Sequence, residues 1–228
     1  KMDNQKEELI EKLDGIVKYD LCHITHLKNV SSILKYGLYS RNYLKKHQGN
    51  YEDISDPEVQ LRREFILHDF VPLFFSDNTP MLYVTYRKFG GQIALIEIDK
   101  KIILEEDFNI VISNGNLAST ESKLEFFGAN SSDNVDKLKF LESFGWYVWD
   151  IIYKRSPAYS KEWKRYRSSE VLVYERVPTK YFVSIHFSIN YDDKYFQEIY
   201  ELSKNNNIKI KTDLTENGCF ERGVYKKF

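Results

Sequence analysis

The sequence predicts an α+β fold built on a mostly antiparallel or mixed sheet. Three observations lead there. Short β-type runs (VPLFF, QIALIEID, DFNIVIS, SSEVLVYE, KYFVSIHFS) alternate with short helical patterns, without a regular βαβ rhythm. No GxGxxG or GxxxxGK[ST] fingerprint follows any of these runs, so neither a Rossmann unit nor a P-loop is supported. Hydrophobic residues make up 42% of the 228 positions against 29% charged, enough to bury a core within the length of one domain.

Along the chain, residues 3–18 carry Leu9, Ile10, Leu13, Ile16 and Val17 at helical spacing, and Asn4 and Glu7 have the spacing of a capping box. A short strand over 19–24 leads into a helix marked by Val30, Ile33 and Leu34 and stopped by Gly37. The polar stretch 41–55 reads as a long loop. Asp56, Pro57 and Glu58 are an N-cap, first-turn proline and dipole-matched acid that open a helix carrying Arg62 and Arg63. Strand 71–75 follows, then a helix capped by Thr79-Pro80 and ending at Gly90, then strands over 92–99 and 107–113. Residues 114–167 read as irregular, apart from a helix over 133–142 and an aromatic stretch over 146–153. Strands over 168–175 and 180–188, a helix over 191–206 and a strand NIKIKT complete the pattern. No composition shift marks a boundary, so a single domain over 1–228 is expected, with helix 1–18 appended.

Composition removes several functional classes. Lys plus Arg total 33 and Asp plus Glu 34, so the chain is no uniformly basic nucleic-acid coat, and any electrostatic footprint is local. Cys22 and Cys219 stand outside any CxxC or Cys/His cluster, which excludes a disulfide scaffold and a zinc ribbon and fits a reducing compartment. No apolar run reaches the roughly 18 residues of a membrane span, and the first residues are too charged for a signal peptide. A cytoplasmic protein with no membrane association is expected.

Four features can carry chemistry. In the HITH segment, His23 and His26 face opposite ways if the segment is a strand, whereas His23 and Thr25 share a face. A metal site is therefore not indicated; the alternatives are a satisfied strand-end histidine or a pair of donors in a ligand cleft. Between 153 and 167, Lys154, Arg155, Lys161, Lys164, Arg165 and Arg167 interleave with Tyr153, Tyr159, Trp163 and Tyr166. Cations that follow phosphates and rings that stack on bases suit single-stranded nucleic acid, and a solvated loop is the competing reading. Glu170 interrupts a β-type run with apolar neighbours, as a partly desolvated general base or oxocarbenium stabiliser would, or as an exposed edge-strand glutamate would. Arg62 and Arg63 cannot share a helix face, so one can clamp a pyrophosphate while the other stays in water, or both can be solvated.

Taken in order, HITHLKNVSSILKYGLYSRN, the Arg-pair helix, DFVPLFFSDNTPMLY, SNGNLAS and RSSEVLVYERVP resemble the DarT family of DNA ADP-ribosyltransferase toxins, over residues 20–182. The resemblance implies a compact PARP-like ADP-ribosyltransferase fold with a central split sheet. NAD+ would be the co-substrate, without a metal, and ADP-ribose would pass to a base of single-stranded DNA, thymine favoured and guanine an alternative. It further implies a macrodomain antitoxin (DarG-like) as partner. By motif, Glu170 would be the catalytic glutamate and Arg62 or Arg63 the catalytic arginine. His23, Thr25, Asn29, Arg41 and Met81 would contact the dinucleotide. Tyr153, Lys154, Arg155, Trp163, Lys164, Arg165, Tyr166 and Arg167 would face the DNA. Ser169 stands where the family usually has Ala, and Asn116 where it often has His. Two rival readings remain: a transferase acting on RNA or protein, and a catalytically inactive module that binds single-stranded nucleic acid.

Overall fold

The structure, a computed structural model, describes residues 2–47, 49–54, 65–130, 132–155, 160–188 and 195–219. The chain-order elements are α1 (Met2–Ile16), β1 (Leu21–His26), α2 (Leu27–Tyr36), β2 (Leu38–Tyr39), α3 (Arg41–Lys46), β3 (Phe70–Phe74), α4 (Pro80–Phe89), β4 (Ile93–Ile98), β5 (Ile110–Ser113) and β6 (Leu124–Phe127). They continue with α5 (Asp133–Glu142), α6 (Gly145–Tyr153), α7 (Lys161–Arg167), β7 (Glu170–Tyr174), β8 (Arg176–Val177), β9 (Phe182–Ser188), α8 (Phe196–Asn205), β10 (Lys209–Thr215) and β11 (Gly218–Cys219). Nine of these strands form one mixed sheet in the order β11-β10-β9-β4-β1-β3-β7-β5-β6, while β2 and β8 pair separately. The pairings are antiparallel except β9 with β10.

The expected split lies at the middle of this sheet. On one side β1 pairs with β4 through six residues; on the other, β3 pairs with β7 through five. Between β1 and β3 a single pair remains, Cys22 opposite Phe74. Beyond it the strands part, and His23 Nδ1 bonds the carbonyl of Pro72 at 2.9 Å in place of a ladder bond. In an extended strand a residue's N–H and C=O point the same way. The proline nitrogen therefore also faces the gap, where a missing donor leaves nothing unpaired.

Side-chain alternation then sorts the β3–β7–β5 region into two faces. Val71, Leu73, Val171, Val173, Ile110 and Ile112 enter the main core with Phe75, Leu13 and Val17. Phe70, Pro72, Phe74, Glu170 and Leu172 take the opposite face, by register. Each fully buried aliphatic side chain contributes about 1.5–3 kcal/mol. A one-residue slip of β7 would drive Glu170 into the core and turn Val171 and Val173 out of it. The apolar pattern thus fixes the direction of the one carboxylate in the strand.

Several elements differ from the sequence expectation. Residues 41–46 are helical, capped by the Ser40 hydroxyl, which accepts from Tyr43 N. The basic segment is not a loop: α7 covers it from Lys161, with Ser160 Oγ accepting from Trp163 N. Residues 146–153 belong to a helix, and 124–127 form the edge strand β6. The helix expected from Asp56, with Arg62 and Arg63, lies outside the described residues, as does Tyr159. Helix α1 packs Leu13 into the main core.

Far from the split, His186 is buried between two carboxylates. Nδ1 meets Asp213 Oδ1 at 2.6 Å and Nε2 lies 3.2 Å from Glu97 Oε2, while the Ser184 hydroxyl donates to Glu97. Cys219 is close by, its ligand-type atom within 4.8 Å of those of His186 and Asp213. Both ring nitrogens have carboxylate partners, Asp213 at Nδ1 and Glu97 at Nε2, so the arrangement is a carboxylate–imidazole–carboxylate triad. Burial pulls the imidazole pKa down, but the hydrogen bonds and charges of Asp213 and Glu97 outweigh it and the net direction is up. The stabilisation from protonated His186 is therefore complete below the unfolded-state value near 6.5 and is lost as pH rises through the raised folded value. An NMR titration is expected to place the midpoint of this imidazole above 6.5. A midpoint at or below 6.5 would contradict the triad.

Candidate active site

Where β1 and β3 part, a cleft of about 800 Å³ opens through the split, lined by Phe74 and Glu170 from one face of the sheet and by His23 and Thr25 from the other. Its volume falls within the range of small-molecule and cofactor sites. His23, Thr25, Asn29, Arg41, Met81 and Glu170, residues separated by up to 147 positions, all line it, together with Asn116 and Ser168. The catalytic and dinucleotide residues expected from sequence thus converge on one cavity, except Arg62 and Arg63, which lie outside the described residues.

Glu170 is the first residue of β7, a central strand between β3 and β5, paired with Phe74 on one side and Ser113 on the other. The edge-strand alternative is thereby removed. Its carboxylate is 1% exposed, and Oε1 lies 3.5 Å from the amide of Leu117. That amide belongs to a cross-linked loop after β5. Asn114 N donates to Lys123 O, Ser113 Oγ donates to Gly115 O, and Ser122 Oγ donates to Asn116 O. The mesh presents Asn116 to the cleft beside Glu170. Ser169, the departure next to the glutamate, points away from it and donates to Tyr166 O at 2.6 Å.

His23 is held at the floor of the split. Burial lowers its imidazole pKa, opposed by the Pro72 carbonyl, so the ring is neutral at pH 7. A carbonyl can only accept, so Nδ1 carries the proton and Nε2 is left as an acceptor. His26 serves the fold instead. Its Nδ1 accepts from Lys28 N and caps α2, in keeping with its place on the opposite strand face.

The outer wall of the cleft is the segment 49–54, tied down by side chains expected from sequence to contact the ligand. The Asn29 amide donates to Glu52 O at 2.9 Å and to Thr25 Oγ1 at 3.2 Å, while Asn29 Oδ1 accepts from Glu52 N at 2.9 Å. Arg41 Nη2 reaches both carboxylate oxygens of Asp53, at 3.0 and 2.8 Å. These residues line the cleft and also hold its wall. Met81, on the first turn of α4, packs against the cluster of Cys22, Ile24, Phe74 and Leu82. Sequence reading missed Tyr39 and Tyr43, which also line the cleft with rings stacked at 4.5 Å and 11°. It also missed His68 and Lys88. The Ser40 cap was the available signal for the first pair; the latter two gave none.

The basic-aromatic segment separates into two sets. Lys154 and Lys164 are exposed, and Trp163 is half-buried with the Lys154 ammonium 5.0 Å from its ring centre. The other five residues make contacts within the fold. Arg167 is 2% exposed and donates to the carbonyls of Ile151 and Lys154, closing the C-terminus of α6 where its charge meets the negative end of the helix dipole. Arg155 pairs with buried Asp77 at 2.8 Å. Arg165 donates to Glu121 O at 2.7 Å and covers the half-buried Tyr166 ring. The Tyr153 hydroxyl accepts from Lys18 N, and its ring stacks on Trp149.

The fold is of the PARP-like ADP-ribosyltransferase class. Thermosipho africanus DarTG, solved in complex with ADP-ribose, matches over 87% of this chain and 51% of its own, at 26% identity and a TM-score of 0.65. Thermus sp. 2.9 DarT, solved with ADP-ribosylated ssDNA, matches over 85% of this chain and 93% of its own, at 19% identity and a TM-score of 0.65. The Thermus protein in complex with NAD+ gives 19% identity and a TM-score of 0.62, covering 86% of this chain and 96% of its own. In sequence, residues 22–217 match the family described as "ssDNA thymidine ADP-ribosyltransferase, DarT", and the chain belongs to that family. A curated relative, the DNA ADP-ribosyl transferase-DNA ADP-ribosyl glycohydrolase fusion protein of Thermosipho africanus (strain H17ap60334), is 27% identical over 205 residues. The chain spans 48% of that relative's length.

Sorting the cations gives a stability prediction. Arg167→Ala removes two buried charge-assisted hydrogen bonds and is expected to cost about 2–4 kcal/mol in urea unfolding, whereas Lys164→Ala stays within about 0.5 kcal/mol of wild type. Equal effects from the two would contradict the assignment.

Proposed function

We propose that this chain transfers ADP-ribose from NAD+ to a base of single-stranded DNA, with thymine the favoured acceptor and guanine the alternative. The observation that carries the reading is the buried Glu170 at the base of a cleft also lined by His23, Thr25, Asn29, Arg41 and Met81. Family membership supports the reaction and its acceptor class. The Thermus structures with NAD+ and with ADP-ribosylated ssDNA support the two ends of the reaction by analogy.

Cleavage of the nicotinamide–ribose bond leaves its electron pair on nicotinamide and builds positive charge on the ribose. Glu170, buried and hydrogen-bonded to a ribose hydroxyl, stabilises that charge where the interaction is less screened than in water. A base nitrogen then forms the new bond to the ribose carbon and gives its proton to Glu170. Neutral His23 offers Nε2 as an acceptor that orients the nicotinamide end without adding positive charge. Arg62 or Arg63 neutralises phosphate. Lys154, Trp163 and Lys164 offer contacts to the DNA approaching Glu170.

The organisation proposed is one transferase domain over 1–228 with helix 1–18 appended, acting in the cytoplasm as a toxin that blocks replication. Among the described residues no helix is long and apolar enough to cross a membrane. The glycohydrolase named in the Thermosipho fusion supports a macrodomain antitoxin that removes the modification as the partner.

The test is incubation with labelled NAD+ and separate pools of ssDNA, dsDNA, RNA and protein. Label is expected on ssDNA, reduced at least about 10²- to 10³-fold in Glu170→Gln while ssDNA binding persists. Label confined to RNA or protein would overturn the acceptor. Transfer that survives the substitution would overturn the role of Glu170.

A further inference from the structure

The Glu170 face of the sheet continues beyond the cleft. Cα partners across β3, β7, β5 and β6 share a face, so the register defines parallel rows. One row runs Phe74–Glu170–Ser113–Leu124, and the next runs Pro72–Leu172–Val111–Phe126. Phe70 opposite Tyr174 begins a third. The inner part is covered: Leu67, Phe70, Val111, Leu117 and Leu172 form a buried cluster. The outer part is not. Phe126 is 54% exposed, Tyr174 40% and Leu124 38%.

Phe70 joins this strip to the cleft. It lines the cavity, and its ring meets Phe126 at 6.4 Å and Tyr174 at 5.4 Å, both edge-to-face. Two aromatic side chains held at fixed angles by a buried third are a preorganised surface, with little rotamer freedom left to lose. Four residue steps of about 3.3 Å place Tyr174 roughly 13 Å along β7 from Glu170.

We infer that Phe126 and Tyr174 form a stacking platform for bases flanking the acceptor in single-stranded nucleic acid. The size of the strip favours bases over a folded partner. Three half-exposed side chains offer a few hundred Å² at most, against about 800 Å² per partner in a stable protein interface. Aromatic rings accept any base by its π-face, so the platform holds the strand without reading it and leaves selection to the cleft. The inference rests on the transferase reading above, since it needs a strand delivered to Glu170.

The test compares wild type with the double variant Phe126→Ala/Tyr174→Ala, using a twelve-nucleotide ssDNA and labelled NAD+. The double variant is expected to raise KM for ssDNA by about 5- to 150-fold for each base unstacked, while KM for NAD+ is unchanged. The ring-preserving variant Phe126→Tyr/Tyr174→Phe is expected to keep the wild-type KM for ssDNA, which separates stacking from loss of fold. An unchanged KM for ssDNA in the double variant overturns the platform. So does an unchanged KM accompanied by weaker binding of an antitoxin, which makes the strip a protein-docking face. If wild type itself labels no ssDNA, the transferase reading fails and the platform, which serves that reaction, falls with it.

Discussion

A single ladder pair, Cys22 opposite Phe74, separates two well-zipped half-sheets, and the rest of the site depends on that near-break. With full pairing between β1 and β3 there would be no room for His23 between the strands and no cleft against Glu170. The sequence provides for the break at both sides. Pro72 has no N–H to leave orphaned, and its carbonyl is met by an imidazole instead of a backbone amide. Six pairs on one side and five on the other hold each half rigid, so the gap is a feature of register and not of looseness.

The same register argument explains why a carboxylate can sit in a central strand. The core claims Val171 and Val173, and alternation then delivers Glu170 and Leu172 to the other face. Leu172 is covered by Leu67, Phe70 and Leu117. Glu170 meets the cleft and the amide of Leu117. Packing energy from the apolar residues thus maintains a buried acid that would be costly on its own terms. Around it the cleft wall is built by reciprocal bonds: Asn29 with the Glu52 backbone, and Arg41 with Asp53.

Much of this was legible from residues alone, in a graded way. The strands carrying His23 and Glu170 were marked by their β-type runs, and α4 by Thr79-Pro80, because burial and capping act locally. The order of motifs identified the family, and the fold then brought His23, Asn29, Arg41, Met81 and Glu170 to one cavity. What sequence could not give was direction. In the basic-aromatic segment, Arg165 and Arg167 look like Lys164, yet α7 turns them inward to carbonyls while Lys164 stays in solvent. Helical phase decides that, and the Ser160 cap with Glu162 in the first turn was the signal that would have supplied it. Tyr43 escaped notice because helix α3 was hidden in a stretch that reads as polar loop, and Tyr39 because its two-residue strand, β2, is too short to show a period. The His186 triad joins β4, β9 and β10 and has no local signature at all.

The most direct test of the central claim is a crystal structure of the protein with a non-hydrolysable NAD+ analogue. The nicotinamide ribose is expected between β1 and β3, with a hydroxyl within hydrogen-bond distance of Glu170 and the nicotinamide end beside His23. Density for the analogue on any other face of the sheet, with Glu170 out of reach, would contradict the role assigned to the split.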